Sequence, residues 1–99
     1  MRMMLKVSIP VDAGNRAITD GSLPKVIGDA LGELKPEAAY FATDNGLRTA
    51  FLVFDMRESS QIPVIAERFF MGLNATVDFR PVMNAEDLQA GLQKAAEAR

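Results

Sequence analysis

The side chains best suited to chemistry are Lys6, Ser8, Asn15, Arg16, Tyr40, Asp78 and Arg80. Lys6 and Ser8 alternate with apolar residues near the start of the chain, and Asp78 and Arg80 do so near its end. An aspartate among cations could accept a proton at Asp78 while Lys6 or Arg80 stabilises developing negative charge. Arg16, with Asn15 and local backbone N–H groups, could clamp a carboxylate or phosphate. Tyr40, the only tyrosine, could donate a hydrogen bond to a bound molecule. Each set has a plainer structural reading, which we favour. Lys6 and Asp78 form an ion pair, Arg16 pairs with Asp12 or Asp20 beside turn hydrogen bonds, and the Tyr40 ring packs at a rim.

Composition narrows the chemistry further. The 99 residues are 48% hydrophobic and 24% charged, an ordinary globular balance. Net charge is −2, with Lys and Arg scattered, so the basic face of a nucleic-acid binder is missing. The chain has no cysteine and no histidine. That removes disulfides, thiolate zinc sites, the usual general base and the usual haem ligand. No metal and no cofactor is expected. No apolar run approaches the ~18 residues of a membrane span. The first residues, MRMMLKVSIPVDAG, read as a strand rather than a signal peptide, so a cytoplasmic protein is expected.

The elements that must position these residues follow from periodicity. Met3, Leu5, Val7, Ile9 and Val11 fall on one face and Met4, Lys6, Ser8 and Pro10 on the other, the pattern of a half-buried strand. Ile9 to Lys25, IPVDAGNRAITDGSLPK, reads as a long polar loop of the kind that often binds ligands. Its spacing matches neither the Walker pattern nor the dinucleotide fingerprint. Leu23, Val26, Ile27, Ala30, Leu31 and Leu34 then recur at helical spacing, with Ser22 as N-cap and Pro36 as the stop. A short strand over Ala38 to Thr43 leads into Asp44-Asn45-Gly46, a hairpin turn. Arg48 to Asp55 carries Ala50, Leu52 and Phe54 on one face and Phe51 and Val53 on the other, as a central strand does. A helix opened by Ser59 or Ser60 carries Ile62, Ile65, Ala66, Phe69, Phe70 and Leu73 and stops at Gly72 to Asn74. Ala75 to Val82 is a last strand, with Pro81 marking an edge. Asn84, answered by Asp87, caps an alanine-rich helix whose only large apolar residues are Leu88 and Leu92.

The order β-α-β-β-α-β-α, with similar halves around Ser22-Leu23-Pro24 and Ser60 to Pro63, predicts an α+β ferredoxin-like βαββαβ fold with an added C-terminal helix. Residues 1–99 read as one such domain, a four-stranded antiparallel sheet with helices on one face. The first and last strands then neighbour each other, which brings Lys6 and Ser8 beside Asp78 and Arg80. The open face cannot be simply polar, because leaving side chains such as Phe51 and Val53 wet forgoes roughly 1.5–3 kcal/mol each. Pairing two such faces gives a homodimer, a dimeric α+β barrel, which we favour over the final helix folding back across the face because that helix has a thin apolar stripe.

Three segments, Ala13-Gly14-Asn15-Arg16, Lys35-Pro36-Glu37-Ala38-Ala39-Tyr40-Phe41 and Gln61-Ile62-Pro63, resemble those of an uncharacterised family of bacterial proteins of about this size. The resemblance covers nearly the whole chain and implies the ferredoxin-like fold, but no activity or catalytic residue. The topology is also similar to that of dimeric α+β barrels: small monooxygenases, muconolactone isomerases, haem-degrading enzymes and ligand-sensing domains. The lack of histidine argues against the haem-binding role. The favoured function is a small-molecule binding or sensing dimer, or an interaction module, without established catalysis. The alternative is a cofactor-independent isomerase or monooxygenase using Asp78, Lys6, Arg80 and Tyr40 in a barrel pocket. A cavity of ~300 Å³ or more with convergent polar groups is the feature that supports a ligand site.

Overall fold

A computed structural model describes all 99 residues. Its elements are β1 (Arg2–Ile9), α1 (Val11–Thr19), α2 (Ser22–Leu34), β2 (Ala38–Asp44), β3 (Leu47–Asp55), α3 (Gln61–Leu73), β4 (Thr76–Pro81) and α4 (Ala85–Glu97). The four strands form one antiparallel sheet in the order β2-β3-β1-β4. The chain thus leaves β1, crosses through helices to β2, and returns through a hairpin to fill the gap with β3. Helix α3 makes the second crossover, from β3 to β4, past β1. This is the ferredoxin-like α+β arrangement, extended by α1 and α4.

Alternation in β1 decides which way the sheet faces. Met3, Leu5, Val7 and Ile9 are buried, while Arg2, Met4, Lys6 and Ser8 are only partly covered. The buried set joins Ala50, Leu52 and Phe54 of β3, and Ala17, Ala30, Ile65, Phe69 and Leu73 of the helices, in one core. Burying residues of this size contributes about 1.5–3 kcal/mol each. The hairpin between β2 and β3 turns at Asn45 and Gly46, with φ of 52° and 76°, the pair of positive values a two-residue turn requires.

The stretch expected to be a loop is mostly helix. Pro10 accepts the first helical hydrogen bond, from Gly14 N–H at 2.8 Å, and α1 runs on to Thr19. Its buried residues are Ala13, Gly14 and Ala17. These small side chains let the helix backbone approach the sheet without showing a stripe of large apolar residues. Gly21, at φ 80°, then breaks the axis and starts α2, so Ser22 is the first helical residue rather than the cap. Helix α2 is the looser of the two crossovers. Only Ala30 is buried there, and Leu23, Val26, Ile27, Leu31 and Leu34 are partly covered. Helix α3 buries Ile65, Ala66, Phe69 and Leu73, and ends on Asn74 in the left-handed conformation.

Helix α4 stands apart. It buries no residue, and its one side-chain hydrogen bond to the rest of the fold runs from Arg2 Nη1 to Asp87 Oδ2, at 3.1 Å. The molecule measures 56 × 27 × 18 Å, with a radius of gyration of 15.9 Å, against about 13 Å for a compact chain of this length. The Asn84–Asp87 capping box is complete: Asn84 Oδ1 accepts Asp87 N–H at 2.8 Å, and Asp87 Oδ2 accepts Asn84 N–H at 3.1 Å. Asn84→Ala is expected to weaken α4 by about 1 kcal/mol. Amide exchange should speed up along α4 while the urea midpoint of the core stays put; a matching fall in both would show that α4 is part of the cooperative core.

Candidate functional site

The sheet register sorts the chemistry-bearing residues into two groups. Tyr40, Phe51, Lys6 and Asp78 form one row across all four strands, on the face away from the helices. Ser8 pairs with Thr49 and Thr76 in an adjacent row, and Met4 with Val53 and Arg80 in the row on the other side. The structure therefore brings Lys6, Ser8, Tyr40, Asp78 and Arg80 onto one open face. Asn15 and Arg16 lie on α1, in the helix layer on the opposite side of the sheet.

Within that row the expected Lys6–Asp78 pair is not formed. The two residues are register partners, yet Lys6 Nζ reaches Asp44 Oδ2 on β2, at 2.6 Å. The lysine stem crosses β3 with its ammonium 6.0 Å from the centre of the Phe51 ring. Its methylenes gain apolar cover there, and the ammonium gains an attractive ring face. Asp44 is partly buried whereas Asp78 is exposed, so Asp78 offers less in competition. Thr49, on the same face of β3 between these strands, is buried, and its hydroxyl donates to the Leu47 carbonyl at 3.0 Å. Asp78 and Arg80 have no ion-pair partner and are exposed, and Tyr40 is 70% exposed. These groups share a face without converging on a point.

Arg16 lies on the outer surface, 4.0 Å from Asp12 one turn away, an arrangement worth little in water. Asp20 closes the joint between α1 and α2, where its Oδ1 accepts the Ser22 N–H at 2.8 Å. Hydrogen bonding from Ser22, by its side chain first and its backbone N–H second, holds the Asp20 carboxyl below the ordinary value of 3.8. A lowered folded-state value means the stabilisation is present above pH 3.8 and lost as pH falls through the lower folded value. The difference in urea midpoint between wild type and Asp20→Asn should therefore shrink on acidification below that point. A difference that widens instead would contradict this role for Asp20.

An apolar cavity opens on the helix side. About 400 Å³ lies between the first turns of α2 and the β2–β3 edge, lined by Ile9, Leu23, Pro24, Ile27, Phe41 and Ala50 among others. It follows from the loose seating of α2, whose Leu23 and Ile27 remain partly uncovered. Arg48 and Thr43 also line it. Arg48 was not among the residues singled out from the sequence. Its signal is parity: it shares the core-facing side of β3 with Ala50, Leu52 and Phe54, a lone charge in an apolar series.

Helix α1 positions Arg48. Nη2 donates to Asn15 Oδ1 at 3.0 Å, and Nη1 donates to the Val11 carbonyl at 3.4 Å. A Cβ added to Gly14 would sit 2.5 Å from Nη1, so the guanidinium occupies room left by a missing side chain. Asn15 thus holds an arginine that comes from β3. No cluster of three or more acidic, histidine or cysteine ligands gathers anywhere in the structure, and no helix is long and apolar enough to cross a membrane.

The fold class that this geometry defines is ferredoxin-like α+β, with a one-sided sheet and an apolar cavity under α2. No known family model and no curated protein matches the chain.

Proposed function

We propose that this protein is a small-molecule binding or sensing homodimer that holds its ligand in the cavity under α2 and catalyses no reaction. The cavity carries this reading. At about 400 Å³ it falls in the range of small-ligand sites, apolar with a few placed polar groups. Candidate proton-transfer groups do not accompany it: Asp78, Lys6 and Tyr40 belong to the other face of the sheet.

The dimeric part of the proposal rests on the open face. Phe51, Val53 and Met4 are only partly covered there, and Tyr40 is exposed, with no helix above them. A two-fold pairing of these faces would bury the same residues twice, and self-complementary pairing closes without leaving a further sticky edge. Native mass spectrometry of the gently purified protein tests both parts. The expected species is a dimer that releases a small molecule on collisional activation. A bare monomer at micromolar concentration would count against the whole proposal.

A further inference from the structure

We infer that α4 is a preformed arm that one copy of the chain lays over the β2 edge of a second copy, closing the mouth of that copy's cavity; this rests on the ligand-binding homodimer reading above. The arm buries no residue against its own fold, although isolated helices shorter than ~12–15 residues are marginal in water. Its sequence compensates locally. The capping box, with Glu86 and Asp87 in the first turn and Lys94 in the last, favours a helix that stands alone. Leu88 and Leu92, 46% and 60% exposed, lie one turn apart on one side of it. Its direction is fixed as well. The Val82 N–H donates to the Arg2 carbonyl at 3.1 Å, and the Arg2 guanidinium is shared between Glu37 and Asp87. A helix aimed before association loses little freedom on binding.

The dimensions of the molecule require the arm to project. The nine residues of β3 span ~30 Å and the thirteen of α4 ~20 Å, and the 56 Å long axis accommodates both end to end. Projection leaves surface uncovered. The accessible surface is 6630 Å², about 1,100 Å² above the ~5,500 Å² of a compact chain of 10.8 kDa. A stable pair of proteins needs about 800 Å² from each partner. The surplus is of the size that a second copy covers.

The β2 edge is the matching surface. Ala38 to Thr43 carries no charge, and Tyr40 and Phe41 are 70% and 57% exposed on the two faces of the strand. The opposite edge, β4, is guarded by exposed Asp78, Arg80 and Pro81. An unguarded edge is normally covered by a helix or a loop. Phe41, Ala42 and Thr43 also line the cavity, whose surface is almost wholly apolar. A chain's own arm cannot serve here. It starts beside Arg2, whereas the cavity lies by Ile9 at the other end of β1, ~23 Å away. A two-fold axis across the strands sets the α4 end of each sheet beside the hairpin end of the other. Leu88 and Leu92 then meet apolar surface, and each cavity is completed by the other copy.

The chain has no cysteine, so an introduced pair tests the contact. Full-length Leu92→Cys chains are mixed with Ala42→Cys chains, left to exchange and oxidised. A disulfide joining the two kinds of chain is expected, at several times the yield of either like-with-like link. Light scattering and calorimetric titration with toluene, a neutral apolar probe, then compare wild type with a variant carrying both Leu88→Glu and Leu92→Glu. The variant is expected to dimerise about tenfold or more weakly and to bind toluene severalfold more weakly. Both leucines are exposed in the separate chain, and circular dichroism checks that the fold is kept. Unchanged dimerisation, or absence of the mixed disulfide, overturns the arm and leaves the open-face dimer standing. Weaker dimerisation with unchanged toluene affinity overturns the closing of the cavity, as does a wild-type dimer that binds no toluene. A wild-type monomer at micromolar concentration overturns the arm and the homodimer together.

Discussion

Phe69→Ala is expected to destabilise the fold by about 3–5 kcal/mol, the cost of lost transfer energy together with the cavity left behind. Phe69 is fully buried in α3, the most deeply seated helix, and shares the core with Leu5, Leu52, Ile65 and Leu73. Ile65 and Leu73 flank it one turn away in either direction, so α3 cannot tilt into the gap without unseating them. Small domains have only about 5–15 kcal/mol in total, so this variant should be largely melted by mild urea. Phe70, the next residue, is 41% exposed, and Phe70→Ala should cost far less. Urea titrations at one fixed protein concentration, needed because oligomerisation shifts apparent stability, make the comparison. Similar midpoints for the two variants would mean that α3 is not the element that closes the core.

The helical spacing of α3 and the strand spacing of β1 were readable from the sequence, but Phe69 and Phe70 fell in one apolar stripe there, and only the structure separates the buried residue from its exposed neighbour. Local chemistry was equally legible where backbone groups demanded it: Asn45-Gly46 at the hairpin, Asn74 at the end of α3, and Asn84 with Asp87 at the start of α4. Helix α1 escaped because periodicity is visible only when the buried residues are large. Ala13, Gly14 and Ala17 bury a face by being small, and the exposed Val11 and Ile18 point the eye to the wrong side. With α1 read as a loop, its polar residues looked like a binding loop, when one of them, Asn15, holds an arginine contributed by β3. The Lys6 partner was misjudged for a different reason. Strand register gives the nearest backbone neighbour, Asp78, whereas a long side chain chooses among diagonal partners according to what its stem can cover.

Phe51→Glu is expected to weaken the proposed dimer by on the order of 100-fold or more, and to leave each chain folded. Phe51 occupies the middle of the open face, between Tyr40 on β2 and Lys6 on β1. A two-fold interface repeats every substitution, so one change places two carboxylates in the buried centre, where large apolar residues dominate binding. Desolvating a charge there costs more than Lys6 returns. In the separate chain the same glutamate would face water beside Lys6, its cross-strand partner, so the fold should tolerate it. Light scattering across a concentration series reads the effect, and circular dichroism confirms the retained fold. Ile18→Glu, on the outer side of α1 at a half-exposed position, is the matched control and should leave association unchanged. If Phe51→Glu remains fully dimeric, the sheet face is not the interface. Leu88 and Leu92, exposed one turn apart on the otherwise unsupported α4, are then the next apolar pair to test. Dissociation by Leu88→Glu together with Leu92→Glu alone would move the contact to α4 and leave the open face to water.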